Sequence, residues 1–177
     1  MALDSDNVRV AVTGAVYVAP AGTAAPTASD STLNVAFADL GYVHSDGISE
    51  SIDKSTNQIR SWQDGSLVRE IVSDGTYSVS FTLIETKEEV LELYYGVTVV
   101  DGEVDIDPRK TGGRKSFVID VVDGDSVERT YIPAGEVTSV GERTLASGEA
   151  IGYEVTITAY ADQTSDVAIK WFSDLES

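Results

Sequence analysis

The sequence predicts a mainly β protein, a sandwich or barrel of about eight to ten strands with one short α-helix packed on it. Three observations predict it. Apolar residues alternate with small polar ones along many short runs, which is the period of a half-buried strand. Fifteen glycines against four prolines supply many turns and few helix breaks. A single stretch repeats its apolar residues at helical spacing, so the chain reads as sheet with one helix laid on it. The length of 177 residues suits one domain, 1–177, large enough to bury a core without staples.

Val8, Val10 and Val12 alternate with polar or small residues, Gly14 interrupts, and Ala15–Val18 resumes. This predicts a first strand with a bulge or bend at the glycine, preceded by an N-terminal arm, 1–7. Pro20–Ser31 is rich in Ala, Pro, Thr, Ser and Gly and reads as an exposed loop. After Phe37–Val43, Ser45-Asp46-Gly47 reads as a turn and Ile48, Glu50 and Ile52 as one face of a strand. Lys54–Ser66 is polar apart from Ile59 and Trp62 and ends in Asp64-Gly65. It is expected to be a long inter-strand loop. Leu67–Val72 reads as a strand and Asp74-Gly75 as a turn. Tyr77, Val79, Phe81 and Leu83 then alternate with Ser and Thr, so this strand has one buried and one wet face.

The helix is expected over Lys87–Tyr95. Thr86 followed three residues later by Glu89 has the form of a capping box, and Gly96 stands where a C-terminal stop belongs. Val90, Leu93, Tyr94 and Val97 form its apolar stripe, each side chain contributing roughly 1.5–3 kcal/mol on burial. Val97–Val100 and Glu103–Ile106 flank Asp101-Gly102 as a hairpin. Ser116–Val122 and Ser126–Ile132 flank Asp123-Gly124 as another. Gly135–Val140 and Ala150–Tyr160 are two further strands. A C-terminal arm, 162–177, carries Trp171 and Phe172, placed to dock on the chain's own core or on a neighbour.

Net charge is −18, from 30 acidic and 12 basic residues. Such a surface repels phosphate backbones and anionic membranes, and favours solubility. The acidic N-terminus lacks the basic region and apolar run of a secretory signal, and no apolar stretch reaches membrane-spanning length. The expectation is a soluble product of the cytoplasm that made it. The absence of cysteine removes disulfides and thiolate chemistry.

Catalytic constellations are thin. His44, the single histidine, lies beside Ser45 and Asp46, but a triad needs convergence in space, not adjacency in sequence. Thirty acidic residues produce carboxylate pairs by chance, so no hydrolytic pair stands out. Asp101, Glu103, Asp105 and Asp107 alternate as a loose calcium loop or as a solvated acidic face, and the glycine of an EF-hand loop is missing. A calcium- or carbohydrate-binding β-sandwich therefore stays open as an alternative. Gly112-Gly113-Arg114-Lys115-Ser116 lacks the spacing of a phosphate loop. Arg109, Lys110, Arg114 and Lys115 put four of the twelve basic residues in seven positions. They read either as a patch for an acidic neighbour or as a locally neutralised loop. The chain is expected not to be an enzyme and to need no cofactor.

Several stretches, taken in order, resemble the major tail proteins of bacteriophages, the tail-tube proteins of long non-contractile tails of actinobacterial phages. They are Val12-Thr13-Gly14-Ala15-Val16-Tyr17-Val18-Ala19-Pro20, Gly41–Asp53, Ile59-Arg60-Ser61-Trp62-Gln63-Asp64-Gly65, and Thr82–Thr86 running into Val90–Gly96. The resemblance covers most of the first hundred residues. Beyond them it is general β character. It implies a structural virion protein of the tail, a β-sandwich with one helix that self-assembles into hexameric rings stacked as a tube. The implied partners are other copies, a tape-measure protein, tail terminator and tail-tip proteins, and DNA in transit without tight binding. It also implies that the loop over 54–66 contacts the adjacent ring. Ile59, Trp62 and Leu67 are then interface candidates, together with Arg109, Lys110, Arg114, Lys115, Trp171 and Phe172. Trp62 equally fits a cover for its own core. Glu50 and Asp53 are lumen candidates, on opposite faces of a regular strand.

Overall fold

A computed structural model describes residues 8–161 and 168–173. Eight strands and one helix follow in the order β1 (Thr13–Pro20), β2 (Ala38–Asp39), β3 (Val43–Arg60), β4 (Leu67–Leu83), α1 (Glu88–Tyr95), β5 (Lys115–Asp123), β6 (Ser126–Val140), β7 (Tyr153–Ala159) and β8 (Lys170–Phe172). They make one antiparallel sheet in the order β2-β1-β5-β6-β7-β4-β3, with β8 added to β6.

β6 joins the two halves of the sheet. Its first part pairs with β5 from Ser126 to Gly135. Its last part, from Gly135 onward, pairs with β7. Gly135 sits at the changeover, where an added Cβ would meet the side chains of Phe117 and Ile157 at 2.8 and 2.9 Å. The close approach lets the sheet fold over one core. Val16 and Val18 of β1 and Phe117 and Ile119 of β5 bury together with Val79 and Phe81 of β4, Val155 and Ile157 of β7, and Val90 and Leu93 of α1.

The alternation in Tyr77–Leu83 is as expected: Tyr77, Val79, Phe81 and Leu83 are buried and the residues between them are not. The helix ends as predicted, with Gly96 left-handed (φ 66°) and its N–H donating to the Glu92 carbonyl. Its start differs. Lys87 is the N-cap and makes no side-chain cap bond. The Thr86 hydroxyl instead lies 3.1 Å from the Tyr153 hydroxyl, because the hydroxyl of a buried tyrosine needs a partner.

Other expectations are corrected by pairing partners far away in sequence. β1 begins at Thr13, after the Val8–Val12 alternation, and runs through Gly14 in unbroken register with β5. A Cβ on Gly14 would collide with the Asp120 carbonyl, so this glycine serves close approach rather than a bend. Lys54–Arg60 is strand, not loop, paired with Leu67–Gly75. Asp74-Gly75 lies inside β4, where a bulge skips Ser73. Ser45–Gly47 is likewise absorbed as an irregularity within β3. Val97–Ile106 forms a single bridge, Val100 to Glu103, not a hairpin. Gly135–Val140 is the end of β6 rather than a separate strand.

Candidate functional site: exposed edges and a projecting hairpin

The β3–β4 hairpin outgrows the sheet that carries it. β7 pairs with β4 only from Tyr77 to Leu83, so the preceding ten residues of β4 have only β3 beside them. At about 3.3 Å per residue, Asp53–Arg60 projects roughly 25 Å beyond the body. Every residue from Ser49 to Arg60 and from Leu67 to Thr76 is exposed. The arm nevertheless carries apolar side chains: Ile52, Ile59, Leu67, Val68, Ile71 and Val72 are all exposed, and Trp62 at the tip is 96% so. Apolar groups on an arm with no core beneath them mark a surface of association.

The tip itself is well ordered by polar contacts. The Ser61 N–H donates to the Ser66 carbonyl at 2.8 Å and the Gly65 N–H to the Ser61 carbonyl at 3.1 Å. The Asp64 carboxylate accepts from the Ser61 hydroxyl and from the Ser66 N–H at 3.1 Å. The Ser61 and Ser66 bonds hold the Asp64 carboxyl down to about 2. Along one face of the arm, Glu70 accepts from Thr56 at 2.8 Å and from Gln58 at 3.3 Å, while Arg60 donates to Gln58. The arm is stiffened by this ladder rather than by packing.

Two strand edges of one four-stranded layer are open among the described residues. In the succession β6-β7-β4-β3, β3 ends the sheet order. At the other side, β5 leaves β6 at Gly135, so residues 136–140 pair with β7 alone. Open edges of this length invite another strand. One face of the layer is the apolar core. The other is hydroxyl-rich: Ser80 lies 3.0 Å from Thr156, and Thr138 lies 2.8 Å from Thr158, hydroxyl to hydroxyl.

Glu50 and Asp53 are placed on opposite faces. Glu50 pairs across from Val79 and Asp53 from Thr76. Glu50 is thus on the core-facing side, where burial and then the Glu50 charge push the Tyr77 hydroxyl well above its ordinary range. Asp53 is on the hydroxyl side and accepts from Ser51 at 3.1 Å.

The four clustered basic residues are divided. Arg109 forms a two-pronged pair with Asp107, both bonds 3.0 Å. Arg114 stacks on Tyr160, 4.8 Å from the ring centre. Lys115 opens β5. Lys110 faces a groove of about 350 Å³ between α1 and the open part of β6. Gly112 packs on Gly96, and the buried Ser116 hydroxyl donates to the Pro133 carbonyl at 2.9 Å. Gly112 therefore serves packing beneath the end of the helix, while Gly113 stands in open space with a left-handed backbone. Trp171 and Phe172 dock on their own chain, opposite Thr130 and Arg129, with half of Trp171 still exposed.

His44 pairs with Asp46, Nδ1 to Oδ2 3.1 Å, and Ser45 takes no part. Among the described residues no group of three or more His, Asp or Glu is placed to hold a metal ion. Asp101 and Gly102 form a positive-φ turn, and Asp107 is engaged by Arg109.

One buried charge pair was not anticipated. Arg129 and Asp120 face each other across β6 and β5, with bonds of 2.6 and 2.7 Å. Arg129 also donates to the Ser31 carbonyl at 2.6 Å and the Ala28 carbonyl at 3.3 Å. The bonds from Asp120 hold the guanidinium above its ordinary value. Charged residues in apolar strand runs, such as Asp120 between Ile119 and Val121, were the available signal.

The distinctive surfaces of this mainly β chain, among the described residues, are open strand edges and a projecting arm of the kind that joins one subunit to another. The chain belongs to the phage tail tube protein family, whose model matches residues 1–176. Among solved structures it is similar to a chain of the sheath–tube complex of an extracellular contractile injection system in its extended state. That match has a TM-score of 0.52 at 11% identity, covering 94% of this chain and 93% of that one. It is similar too to the tube-terminating cap of the anti-feeding prophage, with a TM-score of 0.50 at 12% identity, covering 97% and 98%. Among curated proteins no sequence matches. The protein is a structural component of a phage-type tail tube, and no helix among the described residues is long and apolar enough to cross a membrane.

Proposed function

We propose that copies of this chain join edge to edge into a ring, hexameric as the family resemblance implies, and that rings stack into the conduit for DNA ejection. The observation that carries this reading is the open four-stranded layer. Successive strands of β6-β7-β4-β3 are all antiparallel, and their number is even. A copy related by rotation therefore brings its β3 antiparallel to the open end of β6, and the alternation continues around a closed barrel. Closure removes both edges.

In this arrangement the hydroxyl face of the layer turns to the lumen. Asp53, Glu136 and Glu154 lie on it, opposite Thr76, Thr158 and Thr82 in the strand register. Negative charge on a hydroxyl surface keeps a polyanion from adhering to the wall. Asp53 is thus the better lumen residue of the two first considered. The arm, longer than the body of the sheet, reaches along the tube toward the next ring, with Ile59, Trp62 and Leu67 as its apolar contacts. Tape-measure, terminator and tail-tip proteins are the partners such a tube takes inside and at its ends. Negative-stain microscopy of concentrated purified protein is expected to show rings or tubes. A chain that remains monomeric at high concentration and in added salt refutes the reading.

A further inference from the structure

Two apolar residues on the core-facing side of the four-stranded layer stay exposed in a single copy, and they lie at its opposite edges. Ile52 on β3 is opposite the buried Tyr77, yet is 65% exposed. Val140 on β6 is opposite the buried Val155, yet is 46% exposed. The groove of about 350 Å³ runs along the open part of β6 on this same side. Leu93, Tyr94, Ile106 and Val137 line it with Val140, and Lys110 supplies a positive charge. Glu50, exposed and two residues before Ile52, points to the same side of β3.

We infer that the groove beside β6 is the receptor for β3 of the adjacent copy, with Ile52 seated against Val140 and Glu50 facing Lys110. The inference rests on the edge-to-edge reading above and gives it a lateral seam. Within the β6-β7-β4-β3 layer, Val140, Val155, Phe81 and Ile48 stand at one level, and Gly135, Ala159, Tyr77 and Ile52 at the level below. A level continuation would set Ile48 against Val140. The stagger of about four residues per four-stranded copy that a closed barrel needs at a strand tilt of about 35° sets Ile52 there instead. Strand pairing with the next copy carries Ile48, Glu50 and Ile52 past the groove on the face where it opens. The seam joins unlike charges and buries an isoleucine that has no cover in its own chain. It also makes Glu50 an interface residue rather than a lumen one.

The sequence contains no cysteine, so introduced thiols report without background. Ile52→Cys with Val140→Cys, oxidised during assembly, is expected to give a ladder of covalent oligomers, where each single variant stops at dimers. In parallel, Glu50→Lys and Lys110→Glu are each expected to reduce tube yield at least tenfold, and the double reversal to restore most of it. Far-UV circular dichroism and thermal melts of the unassembled variants report folding separately, since both charges are exposed. Tubes that form at wild-type yield in the single reversals overturn the seam. So does a double reversal no better than either single, or assembled tubes of the double-cysteine variant that give no ladder. If the wild-type chain forms neither rings nor tubes, the edge-to-edge reading itself falls, and the seam with it.

Discussion

The buried pair Arg129–Asp120 offers a sharp test of what holds this fold. Arg129 is 6% exposed and Asp120 8%, so neither charge has solvent to fall back on. The guanidinium makes two bonds to the carboxylate and two to backbone carbonyls at Ala28 and Ser31. It thereby ties the loop after β1 to the β5–β6 pair. Arg129→Ala leaves a buried carboxylate without a counter-charge and takes the guanidinium donor from the Ser31 carbonyl, while the Ala28 carbonyl keeps its bond from the Ser31 hydroxyl at 2.9 Å. Removing one partner of such a pair costs about 3–5 kcal/mol. For a domain of this size each kcal/mol lowers the melting temperature by about 2–4 °C, so a fall of roughly 6–20 °C is expected. Asp120→Leu combined with Arg129→Met removes both charges at similar volume and should recover most of that loss. It does not restore the loop anchor. Urea unfolding at pH 7 measures the stabilities, and hydrogen exchange at residues 28–31 reads the anchor. An Arg129→Ala cost below about 1 kcal/mol, outside the range for a broken buried pair, refutes the account. Strict additivity of the two single substitutions refutes it equally.

Three further outcomes are expected. Trp62→Ala should leave unfolding within about 0.5 kcal/mol of wild type, since the side chain has no core beneath it, while lowering the yield of stacked tubes; equal loss of stability and assembly would count against the arm as a contact. Gly96→Ala should cost about 1–2 kcal/mol for the left-handed backbone alone, and more because a Cβ would lie 2.7 Å from both Gly112 N and the Lys110 carbonyl. Gly113→Ala, at φ 73° with open space around it, isolates the backbone part, and equal costs at the two positions would remove the packing argument. For Asp64 the folded-state value is depressed, so its contribution to the tip turn is present above the ordinary carboxylate value and lost as pH falls through about 2. Carboxyl NMR titration should show that midpoint, and Ser61→Ala should move it upward; no movement would mean the serine is not its cause.

Local pattern made some elements legible. Tyr77–Leu83 alternates strictly, and burial on one side of a sheet produces that pattern whatever the partners are. Gly96 ends α1 because a left-handed residue there is a local need. The fold class and the ordered stretches that resemble tail-tube proteins rest on such features. The Lys54–Arg60 segment shows the opposite case. Its side chains read as loop because none is buried within one copy, yet long-range pairing with β4 makes it strand.

Periodicity and composition act over a few residues, and they are enough to specify a mainly β chain with one helix, an acidic surface and an apolar side chain at Trp62 in a polar stretch. Tertiary structure decided the rest. It set which strands neighbour one another, that Glu50 and Asp53 take opposite faces of a real strand, that Arg129 finds Asp120, and that β6 and β3 are left as open edges. Those depend on pairing between segments far apart in the chain, and backbone hydrogen bonds between strands carry almost no side-chain signature in the sequence.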